Sequence, residues 1–319
     1  MTSNKRSKIK IAVVIPSFKV SKKIVNVIKA IPKVIDKIYV VDDKCPERSG
    51  STALKIKDRR IKVIFHEENL GVGGAVMSGY KKALKDNIDI VVKVDGDGQM
   101  DPSLIPEFIK PIIEGKCDYT KGNRFFYLDN ISQMPTLRLV GNAFLSLLTK
   151  ISSGYWDLFD PTNGYTAISK KVLSHLPFDK ISNRYFFETD MLFRLNTIRA
   201  SVIDIPMSAK YDDEVSNLKI SSIFFEFAYK HVRNFLKRLF YNYYLRDMSI
   251  ASIHLPLGLF LTIFGSYHGL TNWIKYSDQD INTPVGTVMI SIFSIIMGLQ
   301  FILAFLQYDI SSIPKKSRD

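Results

Sequence analysis

From Lys8 to about Pro206, short apolar runs alternate with stretches of helical character. The apolar β-rich runs lie at Ile9–Ile15, Ile38–Val41, Ile61–Phe65, Ile88–Val94 and Ser201–Ile205, and segments such as Ile24–Ala30 and Ala75–Leu84 read as the helices between them. This alternation predicts an α/β fold with a mostly parallel sheet flanked by helices. Ligands of such sheets bind outside the carboxyl ends of the strands. Here those ends carry Pro16-Ser17-Phe18, Asp42-Asp43 and Asp95-Gly96-Asp97, so the polar chemistry gathers on one edge.

After Tyr211 the pattern changes. Phe224, Phe225, Phe227, Phe235, Leu236, Leu239 and Phe240 mix with a basic cluster of Lys230, Arg233, Lys237, Arg238 and Arg246, which suits helices lying among lipid headgroups. Two long apolar stretches follow, about 248–270 and 284–308, each long enough to cross a hydrocarbon core of ~30 Å. They predict a transmembrane hairpin. Basic residues flank it on both sides, with Lys315, Lys316 and Arg318 after the second stretch, while the loop between holds Asp278 and Asp280 against Lys275. The positive-inside rule then puts the sheet domain and both termini in the cytoplasm, on the cytoplasmic membrane. The expected organisation is a domain at 1–218, amphipathic juxtamembrane helices at 219–247, the hairpin at 248–308 and a basic tail at 309–319.

Composition narrows the field. At 319 residues and 46% hydrophobic, the chain fills one large core and has apolar sequence to spare. Met1–Lys10 is polar and basic and runs straight into the first strand, so no signal peptide is expected. Cys45 and Cys117 lack metal or redox spacing, and a reducing compartment fits. The net charge of +13 is spread along the chain without a nucleic-acid-binding motif, so no nucleic-acid partner is expected. The five histidines have no ligand spacing; His254, His268, Ser266 and Gly269 fall in the first apolar stretch, as packing positions.

Chemistry concentrates in Asp95-Gly96-Asp97-Gly98-Gln99, directly after an apolar strand. Two carboxylates one residue apart can hold a hard divalent cation, which neutralises a diphosphate. Asp42-Asp43 can accept from a nucleobase or ribose, and Phe18 offers a face for a base. The run Asn69-Leu70-Gly71-Val72-Gly73-Gly74 opens a helix whose amides could meet phosphate, or is simply a tight turn.

In order, Val14-Ile15-Pro16-Ser17, Val40-Val41-Asp42-Asp43, Asn69-Leu70-Gly71-Val72-Gly73, Asp95-Gly96-Asp97-Gly98-Gln99, Asn163-Gly164-Tyr165 and Phe187-Glu188-Thr189-Asp190 resemble family 2 glycosyltransferases of the GT-A, Rossmann-like fold. Within that family the chain is similar to the dolichol-phosphate mannose synthase and polyprenyl-phosphate glycosyltransferase branch. The likeness covers about 8–218, and the hairpin resembles that branch's membrane anchors.

The resemblance implies that Pro16, Ser17, Phe18, Asp42, Asp43, Gly71 and Gly73 line the nucleotide-sugar, together with Asp95 and Asp97. It implies Mg or Mn on Asp95, Asp97 and Gln99, and catalytic roles for Asp95, Asp97, Glu188 and Asp190. Lys121-Gly122-Asn123-Arg124 looks like the family's Gly-x-Arg strand, and Arg124, Arg138 and Asn142 fall where the branch contacts the acceptor phosphate. Lys210 stands where the branch commonly has arginine, a point charge in place of a planar fork. The segment 152–157 matches nothing; Tyr155 and Trp156 could floor the sugar pocket or pack against membrane-facing helices.

The expected partners are a nucleotide-sugar, a polyprenyl phosphate and the bilayer, and the spans could pack against other copies. The activity implied is inverting, metal-dependent transfer of a hexose or N-acetylhexosamine. Family prevalence favours UDP over GDP. Transfer to a sugar hydroxyl, with Asp190 or Glu188 as base, and a non-catalytic scaffold are the competing readings.

Overall fold

The computed structural model describes residues 8–127, 136–208 and 220–316, apart from the side chains of 137, 138 and 220–224. The chain divides into two compact units, Met1–Phe235 with Pro314–Asp319, and Leu236–Ile313.

The first unit is built on seven strands: β1 (Ile11–Ser17), β2 (Lys37–Asp42), β3 (Ile61–Phe65), β4 (Ile90–Lys93), β5 (Tyr119–Asn123), β6 (Thr166–Ser169) and β7 (Val202–Pro206). Their spatial order is β3-β2-β1-β4-β6-β5-β7. Around the sheet lie α1 (Ile24–Ala30), α2 (Ser49–Leu54), α3 (Gly71–Lys85), α4 (Ile105–Ile113), α5 (Thr136–Ser153), the single turn α6 (Lys170–Leu173) and α7 (Phe187–Thr197). Every residue of β1 is buried, which is why it reads as a continuous apolar run: helices cover both faces of a parallel strand. On one face Val13, Ile15, Val40 and Val92 meet Ile28 and Phe108, and Phe108 stacks on Tyr165 with ring centres 4.0 Å apart.

The sheet is parallel except for β6, which runs antiparallel between β4 and β5. This strand is absent from the apolar pattern because it is only four residues long and half polar, Thr-Ala-Ile-Ser. Its direction matters: Thr166 at its start pairs with Lys93 at the end of β4, so Asn163-Gly164-Tyr165 enters at the carboxyl edge. Strand order reverses between β1 and β4, creating there the crevice in which doubly wound sheets bind ligands.

Helix α8 (Ile220–Phe240) is two-faced. Phe225, Tyr229, Val232, Leu236 and Phe240 form an exposed apolar stripe at helical spacing, while His231, Asn234 and Arg238 are buried on the other side. A π-helical segment, Tyr241–Arg246, leads into the second unit's helices α9 (Ile250–Ser277) and α10 (Val285–Ser311). Within their most apolar stretches only 22% and 17% of residues are buried, unlike core helices. The two pack closely through small residues: a Cβ on Gly265 would lie 2.7 Å from the Ser291 carbonyl, and one on Gly258 2.9 Å from that of Gly298. His268 Nδ1 and Ser291 Oγ are 3.0 Å apart across this seam.

One basic residue expected among headgroups is not there. Arg238 is buried and forms a two-pronged ion pair with Asp309, at 2.6 and 3.0 Å, while the Tyr243 hydroxyl donates to the same carboxylate. A guanidinium that cannot lose its proton needs a carboxylate when it leaves water, and Asp309 supplies one. After the hairpin, Pro314 is buried in the first unit, and Lys316 pairs with Asp118 at 3.2 Å.

Candidate active site

The acidic loop 95–99 follows β4 at the crevice. A Cβ on Gly96 would lie 3.0 Å from Val20, so glycine lets this loop pass under the turn after β1. Gly98 takes a positive φ of 79°, and the Gln99 N–H donates to Asp97 Oδ1 at 3.0 Å, closing an Asx turn that aims the second carboxylate. The Tyr165 hydroxyl donates to the Asp101 carbonyl at 3.0 Å and anchors the loop's far end.

Asp95 Oδ1 lies 2.9 Å from Lys93 Nζ, and Glu188 Oε1, in the first turn of α7, lies 3.4 Å from the same nitrogen. Lys93 is only 1% exposed. Burial works against its ammonium, but Asp95 and Glu188 outweigh that and hold its pKa above the usual value. Burial pushes the Glu188 carboxyl up, opposed by Lys93 and reinforced by Asp95. The sequence does not mark Lys93, since a lysine ending an apolar strand looks like an ordinary polar edge. Its only sequence signal is Gly164: a Cβ there would collide with Lys93 Nζ and lie 2.9 Å from Asp95 Oδ2.

Among the described residues no three His, Cys, Asp or Glu side chains gather as a ready-made metal cage. A hard cation that takes one or two carboxylates and completes its shell with phosphate and water does not need one. Asp95 Oδ1 is held by Lys93 at 2.9 Å, so such an ion would take the other Asp95 oxygen together with Asp97 and Gln99. The donor set of Asp95, Asp97 and Gln99 therefore fits Mg or Mn.

The other acidic residues have internal partners. Asp42 is buried and accepts from the amides of Cys45 and Gly50 at 2.7 and 2.6 Å, tying α2 to the end of β2. Asp43, also buried, accepts from Leu70 and Gly71 N–H, both at 2.8 Å, and its Oδ1 lies 2.8 Å from His66 Nδ1. A carboxylate at the start of α3 suits the positive end of its dipole, and the helix begins at Gly71 rather than at the expected Ala75. Gly71 has φ of 86°, and the Gly74 amide donates to Asn183 O at 3.1 Å. Two glycine-run amides, those of Gly71 and Gly74, thus bond within the protein. A Cβ on Gly73 would collide with the Ser182 carbonyl, so the glycines admit the segment leading into α7. Asp190 is fully buried, accepting from Ser182 N–H and Asn234 Nδ2, each at 2.9 Å.

Pro16 and Ser17 end β1; the Ser17 hydroxyl is buried without a hydrogen-bond partner among the described residues, and the Phe18 ring is 43% exposed. Arg124 is gripped by Asp160 through two bonds of 2.7 Å, and Asp160 is held below the usual carboxylate range by Arg124 against the effect of burial. Asn142 lies on α5 and is half-buried; Arg138 belongs to the same helix, its side chain outside the described part, and Lys210 lies outside the described residues. Tyr155 is buried, and its hydroxyl donates to the Ala200 carbonyl at 2.5 Å, so it packs against the segment entering β7.

Comparison with known proteins is consistent with this geometry. Residues 12–176 match the protein family described as Glycosyl transferase family 2. The UDP-N-acetylglucosamine–dolichyl-phosphate N-acetylglucosaminyltransferase of Methanococcus voltae is 29% identical over 218 residues, 64% of this chain and 86% of that one. The undecaprenyl-phosphate mannosyltransferase of Micrococcus luteus is 28% identical over 174 residues, 54% of this chain and 70% of that one. Among solved structures, glucosyl-3-phosphoglycerate synthase from Mycobacterium tuberculosis in complex with Mn²⁺ and UDP-glucose superimposes with a TM-score of 0.52 at 18% identity, over 72% of this chain and 78% of that one. The last is a likeness of fold.

Proposed function

The chain belongs to glycosyl transferase family 2, and from that premise we propose that it moves a sugar from a nucleotide-sugar to a polyprenyl phosphate at a membrane surface. The observation that carries this reading is an acidic loop, Asp95–Gln99, at the crevice of a GT-A sheet in a chain that continues into two membrane-length helices. The names of the relatives from Methanococcus voltae and Micrococcus luteus support the acceptor class.

The acceptor phosphate oxygen is anionic at neutral pH, so it attacks the anomeric carbon without giving up a proton. The new carbon–oxygen bond forms as the bond to the nucleotide diphosphate breaks, the electron pair leaving with the diphosphate, and a single displacement inverts the carbon. A bound Mg or Mn would offset the charge developing on that diphosphate. Asp95 and Asp97, with Gln99, would hold it. The protein's remaining task is to bring two phosphates close together, and Arg124, locked by Asp160, with Arg138, Asn142 and Lys210 are our candidates for that side of the site. Ser17 and Phe18 form the proposed nucleotide face, with Asp42, Asp43, Gly71 and Gly73 shaping the wall behind it.

Within the first unit, Phe225, Tyr229 and Val232 on α8 and Val140, Phe144 and Leu147 on α5 are exposed apolar residues that suit the bilayer surface. We place 1–218 in the cytoplasm as the catalytic domain, 219–247 at the interface and 248–308 across the membrane. Lys315 and Lys316 after the hairpin, and the return of the tail to the first unit, support a cytoplasmic location for both flanks.

The test uses the purified full chain with radiolabelled UDP-N-acetylglucosamine or GDP-mannose and either dolichyl and undecaprenyl phosphates or an oligosaccharide-lipid. Label in the polyprenyl-phosphate-sugar fraction, abolished by chelator, is expected. Label confined to the oligosaccharide-lipid would overturn the acceptor assignment.

A further inference from the structure

Lys93 occupies an unusual place. Its ammonium sits between Asp95 and Glu188, at 2.9 and 3.4 Å, deep enough that the side chain is almost wholly shielded from water. Gly164 puts no side chain beside it: a Cβ there would press on that nitrogen and on Asp95 Oδ2, and the end of the lysine would have to shift. Tyr80 and Thr166 close the same compartment from α3 and β6, where burial pushes the Tyr80 phenol up to about 12.

Stability is a poor reason for such a cluster. Buried ion groups seldom recover the cost of leaving water, and an apolar replacement of similar size is often as stable or more so. The cluster also adjoins the loop whose carboxylates suit a divalent cation. Asp95, Asp97 and Glu188 bring three negative charges to this edge, and Lys93 cancels one of them. It also bridges the end of β4 to the start of α7, which no backbone hydrogen bond joins among those the structure describes.

We propose that Lys93 is a positioning residue of the transfer site: it holds Glu188 against Asp95 before the donor arrives and weakens the site's hold on a free divalent cation, so that the ion is retained chiefly with the nucleotide diphosphate. This rests on the glycosyltransferase reading. A fixed cation a few ångströms from a metal ligand opposes a second cation strongly where water is scarce. The diphosphate supplies the negative charge that the lysine removes, which couples cation and nucleotide binding.

The experiment is a titration of the full-length, detergent-solubilised protein with Mn²⁺ alone, read by electron paramagnetic resonance of the free ion, then repeated with UDP or GDP. Lys93→Met is expected to bind Mn²⁺ alone about tenfold or more tightly than the wild type, and to gain less from the nucleotide. An equal or weaker affinity overturns the proposal. Should Lys93→Met not fold, Glu188→Gln is compared with Lys93→Met/Glu188→Gln, where the lysine is again the only difference and no unpaired glutamate remains. The double variant should bind Mn²⁺ about tenfold more tightly; equality overturns the proposal here too. Failure of the wild type to bind either nucleotide with Mn²⁺ would instead count against the glycosyltransferase reading, whatever the lysine variants do.

Discussion

Asn234 of α8 donates to Asp190 of α7 at 2.9 Å, and both side chains are completely buried. The other Asp190 oxygen takes the Ser182 amide, so this carboxylate joins three segments. Replacing it with asparagine turns an acceptor into a donor facing a donor. Asp190→Asn should therefore cost about 1–3 kcal/mol and lower the melting temperature by roughly 3–10 °C. Turnover below the melt should stay within about threefold of the wild type. An unchanged melt with collapsed turnover would return Asp190 to the chemistry.

Asp190 uses both oxygens inside the fold, whereas Glu188 meets Lys93 through one oxygen and its pKa is raised by burial. Glu188 would therefore be the candidate base if the nucleophile were a sugar hydroxyl. A phosphate acceptor has no proton to remove. On polyprenyl phosphate, Glu188→Gln should lose no more than about tenfold in kcat, whereas general-base catalysis is worth about 10²–10⁴. A loss in that larger range, with the acid limb of the pH–rate profile gone, would favour a sugar hydroxyl as nucleophile.

What the sequence revealed follows from how local each signal is. β1, β2 and β4 announce themselves because strands covered on both faces are nearly continuous in apolar residues. The less buried β3 and β7 do so because apolar residues flank a single polar one. β5, buried but Tyr-Thr-Lys-Gly-Asn in sequence, has no such run, and α1 matches its expected Ile24–Ala30 in full. The acidic loop was legible because glycines and carboxylates sit next to each other in the chain. β6 was not, because a short strand held between two neighbours needs no apolar run of its own. The internal duties of Asp43 and Asp190 depend on partners 27 and 44 positions away, and no local pattern records them. Lys93 was hidden for the same reason: its meaning comes from Glu188, across the sheet edge.

Asp43 makes the start of α3 a sensitive point. Its two oxygens receive the Leu70 and Gly71 amides, and His66 bridges it to Ser78, with His66 Nε2 2.9 Å from the serine hydroxyl. Asp43→Asn keeps one acceptor and turns an amino group toward the other N–H. A loss of about 1–2 kcal/mol is expected, as for other helix N-terminal partners, with faster amide exchange confined to the first turn of α3. Exchange unchanged at Leu70 and Gly71 would contradict the cap.

His231 gives the fold a built-in acid sensitivity. It is buried on α8 beside the Phe186 ring, with Nδ1 2.9 Å from the Ser152 hydroxyl, and burial pushes its pKa down to about 4. An unfolded chain protonates the same ring near its ordinary value of about 6.5. Above that pH the ring is neutral in both states and its contribution is complete. Between about 6.5 and 4 only the unfolded chain binds the proton, so stability drains as pH falls and levels off below the folded value. The loss approaches about 3 kcal/mol at 1.36 kcal/mol per unit. His231→Phe keeps a ring against Phe186 but cannot titrate. Denaturation free energies of both proteins, measured from pH 7.5 to 4.5, should converge toward acid by about 2–3 kcal/mol; curves that stay parallel would show that the buried imidazole takes up its proton without unfolding.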